Sequence, residues 1–186
     1  MIIHSTRESW LEAAASALYA LFPDGTAAPA VKLSVGFPKG RGGRGAKPIG
    51  ECWAKHCSLD GQTAHIFISP ELTEPKKVLA TLLHELVHAI VGHAAGHRKP
   101  FSRMAVHVGL LGPWTATTAS EGLLARFDEM LEALGEYPHV GLVVTQVKKQ
   151  TTRMRLWSCA CGVKLRAAKK INVKCLDCQV RFEEQD

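Results

Sequence analysis

Apolar residues recur at helical spacing early in the chain. Trp10, Leu11, Ala14, Ala15, Leu18, Tyr19 and Phe22 follow one another at three- and four-residue intervals, the period of an amphipathic helix. Ser5 and Glu8 stand at capping-box spacing before them, and Pro23-Asp24-Gly25 closes the run. Val31 to Val35 then alternates apolar and polar, as a half-buried strand does. Gly50 to Lys55 and His65 to Ser69 read as two more strands joined through Ser58-Leu59-Asp60-Gly61, where Asp60-Gly61 is a hairpin signal. Pro75 opens a second helix at its first turn, and Gly92 closes it after Val91. In that helix Val78, Leu79, Leu82, Leu83, Leu86, Val87, Ile90 and Val91 cover nearly the whole circumference, which predicts burial. Two further helices are expected. One spans about Lys99 to Leu111, with Phe101, Met104, Ala105 and Val108 on one face; the other spans about Ser120 to Leu134, with Leu123, Leu124, Phe127, Met130, Leu131 and Leu134 inward. Strands and helices that share one core predict an α+β domain.

Charge changes where this pattern ends. The chain of 186 residues carries 23 basic and 17 acidic side chains, a formal charge of +6. Residues 1–147 hold 13 of each, so the whole excess sits in residues 148–186, with ten bases and four acids. Four of the six cysteines lie there too. A shift this sharp predicts two domains, at 1–147 and 148–186. Six unevenly placed cysteines do not suit a small secreted disulfide scaffold. Met1 to Glu8 lacks the basic stretch and apolar run of a signal peptide. The most apolar window, Val78 to Ala95, holds two histidines and a glutamate at its centre, so no membrane span is expected. These features predict a protein of the reducing cytoplasm. The glycine- and base-rich stretch from Lys39 to Lys47 lacks the strand-to-helix context of a phosphate loop and reads as a mobile hairpin loop.

The sharpest chemical signal is His84-Glu85-Leu86-Val87-His88. Residues four apart on a helix lie one above the other, so both imidazoles project from one face. Two such nitrogens can grip one Zn²⁺, and Glu85, about 100° round the helix, lies beside the metal without being a ligand. There a carboxylate can take a proton from attacking water and deliver it to a leaving amine. Burying two histidines and a glutamate in an apolar helix is costly without partners, and a metal is one such partner. A catalytic zinc normally has three protein ligands. His97 follows two glycines that let the chain turn back over the helix, and it is favoured over His93, which faces away; Glu121 is a further candidate.

These residues, with Gly96-His97-Arg98-Lys99-Pro100-Phe101, resemble the SprT-like metallopeptidases, a group that includes the Spartan proteases acting on DNA–protein crosslinks. Gly50-Glu51-Cys52-Trp53 and Ile66 to Leu72 are similar to the strand pair that precedes the metal helix in that family. The resemblance implies a zincin-like domain with a small antiparallel sheet. It also implies His97 as third ligand, from a Gly-His-Gly-x-x-Phe segment whose second glycine is Arg98 here.

Cys159-Ala160-Cys161 and Cys175-Leu176-Asp177-Cys178 form two pairs, each expected after an extended segment, Thr151 to Trp157 and Lys170 to Val173. Two such knuckles can enclose a tetrahedral structural zinc, so residues 148–186 read as a β zinc ribbon. SprT-like proteins carry a similar ribbon after the peptidase domain. Lys148, Lys149, Arg153, Arg155, Lys169, Lys170 and Lys174, with Trp157 beside them, suit a phosphate backbone and a stacked base without sequence specificity. Two zinc ions are therefore expected, one catalytic and one structural. The expected activity is peptide-bond hydrolysis in a protein substrate near DNA or RNA. The rivals are a nucleic-acid-binding zinc protein without proteolytic activity and a zinc hydrolase of a small amide.

Overall fold

The first helix, α1 (Arg7–Leu18), is capped one residue later than the Ser5–Glu8 spacing suggests. Thr6 accepts the Ser9 N–H and Ser9 reciprocates, while Glu8 is engaged elsewhere, accepting the Val35 N–H at 3.1 Å. The computed structural model describes residues 4–38, 48–143 and 154–185. The stretch 39–47 and the bases Lys148, Lys149 and Arg153 lie outside them. The chain divides into two compact units, Met1–Val143 and Val144–Asp186.

In the first unit, β1 (Val31–Val35), β2 (Gly50–Trp53) and β3 (Ala64–Ile68) form a sheet in the order β1-β3-β2. The Ser58–Gly61 turn forms between β2 and β3, with Asp60 accepting the Gln62 and Thr63 N–H groups, and those strands pair antiparallel. The expected antiparallel sheet is nonetheless only half realised, because β1 pairs parallel to β3, Val31 against Ala64 through Val35 against Ile68. The chain passes from β1 to the far edge before returning through the centre, so strands that are neighbours in sequence are not neighbours in the sheet.

The second helix, α2 (Pro75–Val91), runs between its expected ends, with Pro75 in the first turn and Gly92 after the last. It packs against α1, β2 and β3, and its Val78, Leu79, Leu82, Leu83, Leu86 and Val87 are fully buried. A buried central helix is what an apolar circumference requires, since no face of it gains by meeting water. Next comes α3 (Lys99–His107), shorter than expected. Gly109 takes a positive φ of 86° and turns Leu110 into the core, where β4 (Leu110–Leu111) pairs with β5 (Thr118–Ala119). Ser120 caps α4 (Glu121–Leu134) through the Leu123 N–H. The chain then crosses back over α1: Tyr137 packs on Trp10 at 4.9 Å, and His139 is held between Arg7 and the Pro70 carbonyl.

In the second unit β6 (Arg155–Ser158) lies between β7 (Lys164–Ala167) and β8 (Glu183–Gln185), antiparallel to both. The extended segment expected at Lys170 to Val173 is not a strand; a single bridge pairs Lys174 with Arg181. Among the described residues no helix is long and apolar enough to cross a membrane.

Candidate metal centres

His84 and His88 share one face of α2. Gly92 ends the helix with its N–H on the His88 carbonyl, and a 3₁₀ turn, His93–Ala95, follows. Gly96 then takes φ 50° and ψ −136°, a conformation that L side chains resist, and the chain doubles back. His97 thereby returns to α2. Its Nε2 lies 3.1 Å from His88 Nε2 and 3.3 Å from His84 Nε2. Fully buried Phe101 lies against all three rings, with centroids 4.8, 4.4 and 4.9 Å from those of His84, His88 and His97. Neither His93 nor the exposed Glu121 belongs to this group. Arg98, next to His97, has φ −78° and ψ −171°, extended backbone that accepts any side chain.

Burial disfavours the charged form of each ring. Burial, helped by His97, pushes His84 down to about 4. Burial and the neighbouring His84, His97 and His93 push His88 down to about 3, and burial also lowers His97. A neutral imidazole has one lone pair to donate, and with two Nε2 atoms within 3.3 Å of the third, a single N–H between neighbours leaves another lone pair without a donor. A cation accepts all three lone pairs. Bonds of roughly 2.0–2.1 Å to a tetrahedral ion would place its ligand nitrogens about 3.3 Å apart, so the observed separations fit. The three histidines could hold a metal ion. On its outer side, His84 Nδ1 meets Thr117 Oγ1 at 2.9 Å, whereas His88 Nδ1 is buried without a partner among the described residues.

Glu85 occupies the adjoining face of α2 and is 6% exposed. It lies against β2, where the Cys52 N–H donates to its carboxylate. A methyl group on Gly50 would fall 2.7 Å from Glu85 Oε1 and 2.5 Å from Thr81 Cγ2, so glycine is what allows the strand this close to the helix. Burial, and secondarily the Glu51 charge, pushes the Glu85 carboxyl up to about 8 against the opposing Cys52 hydrogen bond. Cys52 beside it is buried, and that burial together with the Glu85 charge pushes its thiol up to about 12.

The second unit gathers Cys159, Cys161, Cys175 and Cys178. Their Sγ atoms stand 2.8 Å apart for Cys159–Cys161, 3.6 Å for Cys161–Cys175 and 3.9 Å for Cys178–Cys159. Two knuckle turns present them: Cys159 N–H bonds the Val163 carbonyl, and Cys175 N–H bonds that of Val180. N–H groups of Cys178 and Asp177 bring the Cys175 thiol down to about 7, while hydrogen bonding to Cys159 pushes Cys161 up to about 12. A cation bound by thiols this close would displace their protons. This cluster too could hold a metal ion.

Around it, Lys169, Lys170 and Lys174 are exposed, and Arg155 pairs with Glu184 at 2.7 Å. Trp157, expected beside these bases as a stacking platform, is only 6% exposed on the central strand β6, so little of its ring is open to a base.

A scan against protein-family models, a search of curated proteins and a search of solved structures each found no match. Sequence reasoning passed over two residues that shape the histidine site. Thr117 reaches His84 from 33 positions away and carries no local signal. Gly50 opens a strand, and its signal was the glycine itself, in a place where strands avoid it unless a neighbour comes close.

Proposed function

We propose that the chain is a zinc-dependent metallopeptidase of SprT-like character, with a zincin-like catalytic unit and a C-terminal zinc ribbon. The observation that carries this reading is the convergence of His84, His88 and His97 Nε2 beside a buried glutamate on the same helix. A structural metal site has no use for Glu85, whereas hydrolysis needs a base beside the attacking water. Zinc bound by the three histidines would polarise a peptide carbonyl and acidify that water. Glu85 takes the water's proton and passes it to the departing amine. Its burial among β2 and α2 excludes bulk water and favours holding that proton between the two steps. β2 has a strand on one side only among the described residues, so its outer edge can pair with an extended substrate chain.

In the second unit the cysteine cluster would hold a structural zinc and no substrate, since four protein ligands close the coordination shell. Exposed Lys169, Lys170 and Lys174 support non-specific contact with DNA or RNA through phosphates. Because Trp157 is buried, that contact is electrostatic, without base stacking.

The test is incubation of the purified full chain with unfolded proteins and with DNA-bound proteins, with and without free DNA. Cleavage that stops on zinc chelation and returns with zinc supports the reading. Intact substrates together with hydrolysis of small amides would favour the small-amide hydrolase instead. Nucleic-acid binding with no hydrolysis of either would favour the binding module.

A further inference from the structure

Thr117, which the proposed chemistry does not use, touches one of the proposed metal ligands. Its Oγ1 is 2.9 Å from Nδ1 of His84, on the side of the ring away from His97. A neutral imidazole carries its proton on either nitrogen, and only the tautomer protonated at Nδ1 leaves Nε2 free to bind a metal. We propose that Thr117 is a positioning residue for the histidine site: its hydroxyl oxygen accepts the Nδ1–H of His84, selects that tautomer and fixes the plane of the ring. The proposal rests on the metal-binding reading of the three histidines.

Three features support it. The first is rigidity. Thr117 immediately precedes the β4–β5 pairing, in which Leu111 faces Thr118 and buried Leu110 faces Ala119. The segment is tied on either side by the Ala116 N–H to Pro113 carbonyl bond at 2.8 Å and the Ser120 N–H to Gly109 carbonyl bond at 3.0 Å. A hydroxyl held from both ends orients its partner better than one on a free loop. The second is that the ring is gripped twice, since Phe101 packs on His84 with centroids 4.8 Å apart while Thr117 holds its edge. The third is the direction of the hydrogen bond. If the hydroxyl donated to Nδ1, His84 would carry its proton on Nε2 and aim it at His97 Nε2, 3.3 Å away. A cation between the three Nε2 atoms excludes that proton, so in the loaded site Thr117 must accept. By contrast His88 Nδ1 has no hydrogen-bond partner among the described residues, so the selection of a tautomer falls on His84.

Outer-sphere partners of metal-binding histidines typically contribute about 10–100-fold in metal affinity. The test compares Thr117→Val, which keeps the shape and removes the acceptor, with Thr117→Ser, which keeps the hydroxyl. Zinc affinity of the full chain is measured by competition with a chelator, the cysteine cluster serving as an unchanged second site. Thr117→Val is expected to weaken the histidine site by about 10–100-fold, with Thr117→Ser close to the parent. The zinc-loaded parent and the Ser variant should also show the Nδ1–H of His84 in ¹⁵N–¹H spectra of the histidine rings. A Val variant that binds zinc as tightly as the parent, a Ser variant as weak as Val, or a parent His84 protonated at Nε2 overturns the proposal. If His84→Ala leaves the zinc content unchanged, the metal-binding reading itself fails and takes the proposal with it.

Discussion

Substituting Gly50 by alanine tests how closely β2 is pressed onto the metal-bearing helix. The added methyl would lie 2.5 Å from Thr81 Cγ2, 2.7 Å from Glu85 Oε1 and 3.1 Å from Glu85 Cγ. Carbon atoms in contact prefer about 3.5–4.0 Å, so strand or helix must give way by roughly 1 Å. Overpacking of this kind costs about 1–3 kcal/mol. Thr81 cannot simply rotate, because its Oγ1 donates to the Lys77 carbonyl at 2.7 Å. Displacing Glu85 would disturb its hydrogen bond with the Cys52 N–H and move the proposed base. Gly50→Ala should therefore lose both stability and activity, and Thr81→Ser in the same chain should restore part of the stability by removing Cγ2 while keeping the hydroxyl bond. Urea denaturation of the four chains in this cycle measures the coupling, expected at about 0.5–3 kcal/mol between residues in contact. The restored activity should lag behind the restored stability, because the clash with Glu85 persists. Gly50→Ala with parental stability and parental cleavage would refute the close approach and the placement of Glu85 that depends on it.

Other outcomes follow from the same geometry. His97→Ala should remove or loosen one zinc ion per chain while His93→Ala should not, because only His97 joins the nitrogen cluster; metal analysis after gel filtration decides. Tyr137 is buried against Trp10 with its hydroxyl unpartnered among the described residues, and burial pushes it up to about 12 from its ordinary 10. A raised value means that the folded state holds the proton more tightly, so this stabilisation is present below about pH 10 and is lost as pH climbs towards 12. Tyr137→Phe should accordingly lose less stability than the parent between pH 9 and 11 in urea titrations, and an equal loss would refute the assignment.

Local features carried much of the fold into the sequence. The ends of α2 were legible because proline and glycine act on their own backbone, and its burial was legible because apolar residues circle it. The spacing of His84, His88 and the four cysteines was equally direct. Choices between neighbouring options were less so: Thr6 won the cap of α1 from Ser5, since Glu8 accepts a hydrogen bond from β1 instead. Properties that depend on distant partners were not legible. The direction of β1 against β3, the inward turn of Trp157 and the meeting of Thr117 with His84 are each decided by chain segments far apart in sequence.

The central claim is that Glu85 moves protons for a reaction at a metal held by His84, His88 and His97. Glu85→Gln separates these roles, because glutamine keeps the shape and the Cys52 contact but cannot take a proton. The measurement is the cleavage rate of an unfolded protein by parent and variant, with zinc per chain determined on the same samples. The account predicts equal zinc and a rate lowered at least ~10²-fold. Equal zinc with an undiminished rate would contradict it.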